Sequence, residues 1–345
     1  MSKLVQIGQR QIGEGQPPFV ITEACVNHQG DFEIARRMVY FAHAMGADAI
    51  KFQMHILDDE MLREVSQSDN FDEPLWDVIA KTNFTTDQHA DLMALCRSLG
   101  IQYLCTPFSR ASIDVLDAMG VEAFKTGSGE LTNIPFMRHL ASKGKPAIVS
   151  TGMSLMEEIA ETVAVFKEAG TPLVLMHCVS AYPCPYDRVN LGMVQRLAET
   201  FGVPTGLSCH TPSIYTAIGA TALGACAIEK HFTFDRTQPG PDHRSSIESY
   251  ELGELVKGCR AVWEARGAKR EIFPEEQQIV AWARESVVSI QPIAKGARIT
   301  DAMVSVKRPS PGPGAIPAKD LDKVIGTIAN TDIAADRQIL WTEIG

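Results

Sequence analysis

Polar residues recur at the ends of short runs rich in β-branched side chains. Residues 19–22 lead into Glu23, 49–50 into Lys51, 102–105 into Thr106 and 122–124 into Lys125. Residues 147–149 lead into Ser150, 173–176 into His177, 203–207 into Ser208, and 226–228 into Glu229, Lys230 and His231. Lys51, Lys125 and Lys230 bring positive charge; Thr106, Ser128, Ser150 and Ser208 bring hydroxyls. Gathered on one rim of an acidic protein, such a set describes a pocket for phosphate or carboxylate. A single lysine at a strand end also reaches water along its aliphatic stem, so the argument rests on the set. His210 and His231 stand at or just beyond the ends of the last two runs. Two imidazoles with open positions suit Mn, Fe, Co, Zn or Ni, and a metal there can polarise a substrate carbonyl. A hydrogen-bonded pair of structural histidines is the alternative. Glu23, Glu130 and Asp242 are carboxylates of the same rim, able to ligate metal, move a proton or bind sugar hydroxyls. Cys209 adjoins His210, but neighbours on an extended chain point to opposite sides.

These residues need elements to position them. Between successive runs lie stretches with helical spacing of apolar residues, the sequence form of a repeated strand and crossover helix. Eight such units close an α/β fold of the (β/α)8 (TIM) barrel class, whose catalytic residues stand at the C-terminal strand ends. Helices are expected over residues 32–45, 86–99, 110–119, 134–142, 191–201, 214–223 and 250–265. A capping box at Ser154 and Glu157 is expected to open another, running to about Ala169. Gly46, Gly100, Gly120, Gly144, Gly170, Gly202 and Gly224 fall where helices should stop. The segment 58–81 is long and polar for a connection and reads as an elaborated loop over the barrel mouth, a candidate lid.

The chain has 345 residues, 45% hydrophobic and 21% charged, enough for a barrel of roughly 250 residues and a small remainder. The barrel is expected over residues 1–266, a charged linker over 267–284, and a second unit over 285–345 with strand-like pieces at 286–290, 298–300 and 303–307. A net charge of −10 argues against nucleic-acid or anionic-membrane binding, so an anionic ligand needs local cations. Neither a signal-peptide core nor a membrane span is visible, which predicts a cytoplasmic protein. Eight scattered cysteines without a CxxC pair are expected to be reduced core residues.

The ordered segments resemble the sialic acid synthase family over nearly the whole length. They include Thr22-Glu23-Ala24 with Asn27-His28-Gln29-Gly30, Ala47-Asp48-Ala49-Ile50-Lys51-Phe52-Gln53, and Cys105-Thr106-Pro107-Phe108. Phe124-Lys125-Thr126-Gly127-Ser128-Gly129-Glu130, Ser150-Thr151-Gly152-Met153, and His177-Cys178 with Tyr182-Pro183 follow. Residues 206–211, Glu229-Lys230-His231-Phe232 and Gly240-Pro241-Asp242-His243 complete the set. The C-terminal unit resembles the antifreeze-like (SAF) domain, with Lys307-Arg308-Pro309 at the expected place. The resemblance implies condensation of phosphoenolpyruvate with an N-acetylated amino-sugar aldehyde, typically N-acetylmannosamine, to a nine-carbon 2-keto acid with release of phosphate. It implies phosphoenolpyruvate contacts at Lys51, Thr106, Lys125, Ser128, Ser150, Ser180 and Ser208, and sugar or acid–base positions at Glu23, Gln53, Glu130, Tyr182 and Asp242. It further implies a divalent metal, Mn²⁺ with Mg²⁺ or Co²⁺ as substitutes, at His210 and His231. Arg308 matches an arginine that reaches a neighbouring subunit's site and binds the N-acetyl group, which implies a domain-swapped homodimer.

Cys209 stands where the family often has Asp, Val179 replaces a common Thr, and Ala24-Cys25-Val26 departs from the usual apolar run. These departures leave open N-acetylmannosamine or a diacetamido dideoxyhexose as the sugar. A metal-dependent pyruvate aldolase would share barrel and metal but would not need the cation set. A catalytically silent sugar-binding protein, suggested by the antifreeze-like tail, is opposed by the joint presence of Glu23, His210, His231 and Asp242.

Overall fold

Two strands that the sequence reading did not foresee come first: β1 (Leu4–Ile7) and β2 (Arg10–Gly13) pair as an antiparallel hairpin. The computed structural model describes residues 3–64 and 73–345. Eight parallel strands follow: β3 (Phe19–Glu23), β4 (Ala49–Met54), β5 (Gln102–Pro107), β6 (Phe124–Thr126), β7 (Ala147–Ser150), β8 (Leu173–Cys178), β9 (Thr205–Cys209) and β10 (Ala227–His231). Their ladder order is β5-β4-β3-β10-β9-β8-β7-β6, so the last strand pairs with the first, and β5 packs beside β6. This is the TIM-like barrel.

The side-chain period of two sorts every strand. Outward residues such as Val20, Ile50, Tyr103, Phe124, Val149, Leu175, Leu207 and Ile228 pack against the helices. Inward residues such as Phe19, Ile21, Ala49, Leu104, Ile148, Val174 and Ala227 form a separate apolar cluster, completed by Val5, Ile7 and Ile12 of the hairpin. The hairpin therefore closes the N-terminal end of the barrel. Interior space there is tight. A Cβ on Gly206 would lie 2.3 Å from the Ala227 carbonyl oxygen and 2.7 Å from Met176 Sδ.

The helices include Phe32–Ala44, Thr86–Leu99, Arg110–Met119, Ile134–Ala141, Met193–Phe201, Tyr215–Ala222 and Ser249–Ala265. All seven glycines expected at helix stops have positive φ. The capping box at Ser154 and Glu157 is not formed. Helix Met156–Ala169 starts one residue later: the Leu155 N–H donates to the Glu158 carboxylate, and the Ser154 hydroxyl donates to the Gly152 carbonyl. The expected loop over 58–81 carries helices Leu57–Glu60 and Leu75–Thr82 at its ends, and its middle, 65–72, lies outside the described residues.

The chain divides into Met1–Gly267 and Ala268–Gly345. In the second unit, β11 (Ser286–Ser289) pairs antiparallel with β12 (Val304–Lys307) and β13 (Arg337–Gln338) around a core that includes Val287, Ile299, Ile316 and Ile339. The piece at 298–300 is not a strand; Arg298 makes one isolated bridge to Ile328. Part of the expected linker is folded, since helix Gln277–Ala283 falls within it and the Ser310 N–H donates to the Ala281 carbonyl. No helix among the described residues is long and apolar enough to cross a membrane. All eight cysteines are buried and free.

Candidate active site

The inward face becomes polar at the C-terminal ends of the strands. Glu23, Lys51, Gln53, Thr106, Lys125, Ser150, Ser208, Glu229 and His231 continue the inward rows begun by Ile21, Ala49, Leu104, Ile148 and Ala227, and they line one cavity of about 380 Å³. Ser128, Glu130, Ser180, Tyr182, His210 and Asp242 reach the same cavity from the strand ends and following loops. Lys230 does not. It sits on the outward face beside Ile228, and its ammonium donates to the carbonyls of Cys209, Thr211 and Ser245. The third cation expected on the rim is thus a buried structural lysine. Glu229, one residue earlier, is the group that sequence reasoning passed over; the alternation through Ala227, Glu229 and His231 carried the signal. Cys25, Phe108, Met153 and Cys178 were likewise missed as lining residues.

At one side of the cavity, two lysines share a carboxylate. Lys51 Nζ lies 3.3 Å from Glu229 Oε2 and also pairs with Glu23, while Lys125 Nζ lies 3.6 Å from Glu229 Oε1. Lys125 donates to Ser150 Oγ at 2.6 Å and to the Thr126 carbonyl at 2.7 Å; Ser208 Oγ donates to Glu229 Oε1 at 3.0 Å. Burial pulls Lys51 down to about 8, with Glu229 resisting and Lys125 adding to the fall. Burial would raise Glu229, but Lys125, Lys51 and the Ser208 hydroxyl outweigh it and hold the carboxylate ionised. Glu130, lacking such close cations, is pushed up to about 7 by burial. Gly152 makes room for two hydroxyls. A Cβ there would lie 2.4 Å from Ser180 Oγ and 2.6 Å from Ser128 Oγ, and the Gly152 N–H donates to Ser128 Oγ at 3.1 Å. The Thr106 hydroxyl is buried without a partner.

At the other side stand the histidines. The His210 and His231 ring centroids are 5.3 Å apart, and the Tyr182 ring lies 4.1 Å from that of His210 and 5.7 Å from that of His231. His210 Nδ1 is 2.8 Å from the Val179 carbonyl oxygen. A carbonyl only accepts, so Nδ1 carries the proton and Nε2 keeps a lone pair, the arrangement common in metal-ligating histidines. His231 Nδ1 is buried with no partner, and burial with its cationic neighbours keeps the imidazole neutral. Ligand atoms of His231, Asp242 and Cys25 all lie within 4.8 Å of one another. Neutral imidazole, an orphaned ring nitrogen and an adjacent carboxylate fit a divalent metal. Burial raises the Asp242 carboxyl above its ordinary range, with Cys25, His210 and Lys51 opposing.

The remaining histidines divide plainly. His177 stands on the outward face of β8, one residue before its end, and meets the Val189 carbonyl at 2.6 Å; His243 Nδ1 meets Thr233 Oγ1 at 2.8 Å. Arg308 belongs to the second unit, where its guanidinium lies 5.3 Å from the Trp282 ring centroid.

Comparison with known proteins gives this arrangement a family. The NeuB family matches residues 38–271 and the SAF domain residues 284–344. The chain belongs to the NeuB family. It is 35% identical to the N,N'-diacetyllegionaminic acid synthase of Legionella pneumophila over 98% of this chain and 97% of that one. It is 34% identical to the enzyme of the same name from Campylobacter jejuni, covering 93% and 98%. A crystal structure of N-acetylneuraminic acid (sialic acid) synthetase from Leptospira borgpetersenii, in complex with citrate, is similar with a TM-score of 0.73 and 33% identity, covering 81% of this chain and 96% of that one.

Proposed function

We propose that this NeuB-family chain condenses phosphoenolpyruvate with an N-acetylated amino-sugar aldehyde, giving a nine-carbon 2-keto sugar acid and phosphate. The observation that carries this reading is one cavity with two buried lysines and their hydroxyls on one side and two adjacent imidazoles on the other. Phosphoenolpyruvate brings a phosphate and a carboxylate. Lys51 and Lys125, with Thr106, Ser150 and Ser208, bind these anionic groups, and Ser128 and Ser180 close around them beside Gly152. When bound at His210 and His231, a divalent metal, Mn²⁺ with Mg²⁺ or Co²⁺ as substitutes, supplies Lewis-acid polarisation of the aldehyde carbonyl.

The chain's own groups do the rest. Gln53, Glu130 and Tyr182 position the sugar for attack by the enol carbon. Asp242, at the same end of the cavity as the two histidines, relays a proton to the aldehyde oxygen as the carbon–carbon bond forms. Glu23 takes a proton from the water that adds to the former enol carbon, and phosphate then leaves by C–O cleavage. Its Oε1 is held by the Cys25 N–H at 2.7 Å and its other oxygen by Lys51, so the carboxylate is fixed in place. Arg308 completes the sugar site from a partner subunit in a domain-swapped homodimer, and the protein works in the cytoplasm.

A phosphate-release screen with phosphoenolpyruvate, Mn²⁺ and a panel of acetamido sugars tests the reading. Phosphate release dependent on one of the sugars supports it. Carbon–carbon bond formation from pyruvate, without phosphoenolpyruvate, would establish the aldolase instead. The shared carboxylate of two buried cations favours the phosphorylated donor, because pyruvate brings only one anionic group.

A further inference from the structure

The catalytic cavity carries a thiol that the reaction proposed above does not use. Among the described residues, Cys25, His231 and Asp242 form the one group of three side chains whose ligand atoms all lie within 4.8 Å of one another. All three line the cavity, and none is more than 8% exposed. Two neighbouring strand ends bring them together. β10 pairs with β3 so that His231 stands opposite Glu23; Cys25 lies two residues beyond Glu23, and Asp242 sits in the loop after β10. Asn27 ties the two loops. Its amide donates to the Phe232 carbonyl at 2.8 Å and to Ser246 Oγ at 2.9 Å, and the Ser246 hydroxyl donates to the Asp242 carbonyl at 2.6 Å.

The Cys25 N–H is held by Glu23 Oε1 at 2.7 Å, and its φ of +44° is left-handed, which glycine takes freely and a residue with a Cβ rarely does. The thiol kept there is hydrogen-bonded to the Asp242 carboxylate, beside an imidazole whose Nδ1 is buried without a partner. Such a strained position is typical of a ligand clamp. Cys178, the other thiol of the cavity, is placed differently. Its Sγ lies 3.9 Å from His210 Nδ1, the nitrogen whose proton the Val179 carbonyl already accepts, and so faces the wrong edge of that ring.

We infer that the Cys25 thiolate is a third protein ligand of the divalent metal at His210 and His231, and that it makes the site prefer Zn²⁺ or Co²⁺ to Mn²⁺ or Mg²⁺. The inference rests on the metal reading of the proposed function. Soft thiolate favours zinc and the later transition metals, whereas Mn²⁺ and Mg²⁺ favour oxygen. The thiol proton is released to solvent as the sulfur–metal bond forms. Three protein ligands leave a position open for substrate, as in catalytic zinc sites, and Asp242 stays free to relay a proton.

X-ray absorption at the zinc edge of the full-length Zn²⁺-loaded protein tests this. Wild type and Cys178→Ser should show one sulfur at about 2.3 Å, and Cys25→Ser and Cys25→Gly should show none. By calorimetry, both Cys25 variants should bind Zn²⁺ at least about 10-fold more weakly than wild type and Mn²⁺ within about 3-fold of it. Glycine removes the thiol without straining the backbone, so a loss shared by both variants belongs to the sulfur. No sulfur at the zinc of wild type overturns the inference, as does a sulfur that survives in both Cys25 variants or a Zn²⁺ affinity unchanged in both. Phosphate release by a protein whose metal carries no sulfur would overturn this inference alone. Sulfur-ligated zinc without phosphate release from phosphoenolpyruvate and any acetamido sugar would overturn the reaction and leave the Cys25 assignment standing.

Discussion

Replacing Glu229 with Gln keeps the shape of the side chain and its contact with Ser208 but removes the charge that two buried lysines share. At an effective dielectric of about 20, pairs 3.3 and 3.6 Å apart attract by about 5 kcal/mol each before desolvation is counted. Breaking a buried pair from one side costs about 3–5 kcal/mol in practice. Lys51 has an escape: with its pKa already near 8, losing its proton at pH 7 costs only about 1.4 kcal/mol. The expected loss for Glu229→Gln is therefore near the lower end, about 3 kcal/mol, or a Tm lower by roughly 4–5 °C. The pH dependence carries a second signature. Lys51 is depressed below its ordinary 10.5, so between about 8 and 10.5 the unfolded state binds more protons and stability rises with pH. The part of the variant's loss that comes from Lys51 should be largest below pH 8 and fade above it. Urea unfolding of wild type and variant at pH 7 and pH 9 measures both quantities. A variant within 1 kcal/mol of wild type at pH 7 would refute the reasoning that Glu229 holds the two lysines in place.

The other expectations concern separate groups. His210→Ala should lose bound Mn²⁺ in elemental analysis, while Lys125→Ala should keep the metal and raise the KM for phosphoenolpyruvate at least about 10-fold, the loss of a charged hydrogen bond; normal saturation in the lysine variant counts against the assignment. Glu130, raised to about 7 by burial, keeps its proton in the folded state between 4.5 and about 7, so stability falls as pH rises through that window. Glu130→Gln should accordingly be more stable than wild type at pH 8, by about 1–3 kcal/mol, and equal at pH 4; the same difference at both pH values would exclude a titrating Glu130. Arg308→Ala should weaken sugar binding and spare phosphoenolpyruvate binding, and calorimetry showing the sugar unaffected would remove Arg308 from the site.

The strand ends were legible because two regularities act together there: β-branched runs mark the strands, and a parallel barrel puts polar groups at their C-terminal ends. Lys51, Lys125 and His231 followed from that rule, and the structure brings them to one cavity. Lys230 shows its limit. A strand end names a place along the chain, but only the alternation through Ala227, Glu229 and His231 tells which side chain turns inward. The hairpin at Leu4–Ile7 and Arg10–Gly13 was illegible because strands of four residues owe their existence to the barrel layer they cover. Helix Gln277–Ala283 was hidden in a charged stretch for a related reason: local charge suggests a linker, while the Ser310 contact that meets Ala281 comes from distant sequence. Asn83 holds the His55 backbone on both sides, a pairing across 28 residues with no local signature.

The hairpin under the barrel makes the catalytic cavity a vessel with one mouth. Val5, Ile7 and Ile12 cork its far end with apolar side chains, so nothing charged leaves that way. Whatever reacts at the lysines and histidines comes and goes through the same rim of loops. For the condensation proposed above, with two polar substrates and two charged products, that makes traffic ordered: the deepest occupant enters first and departs last.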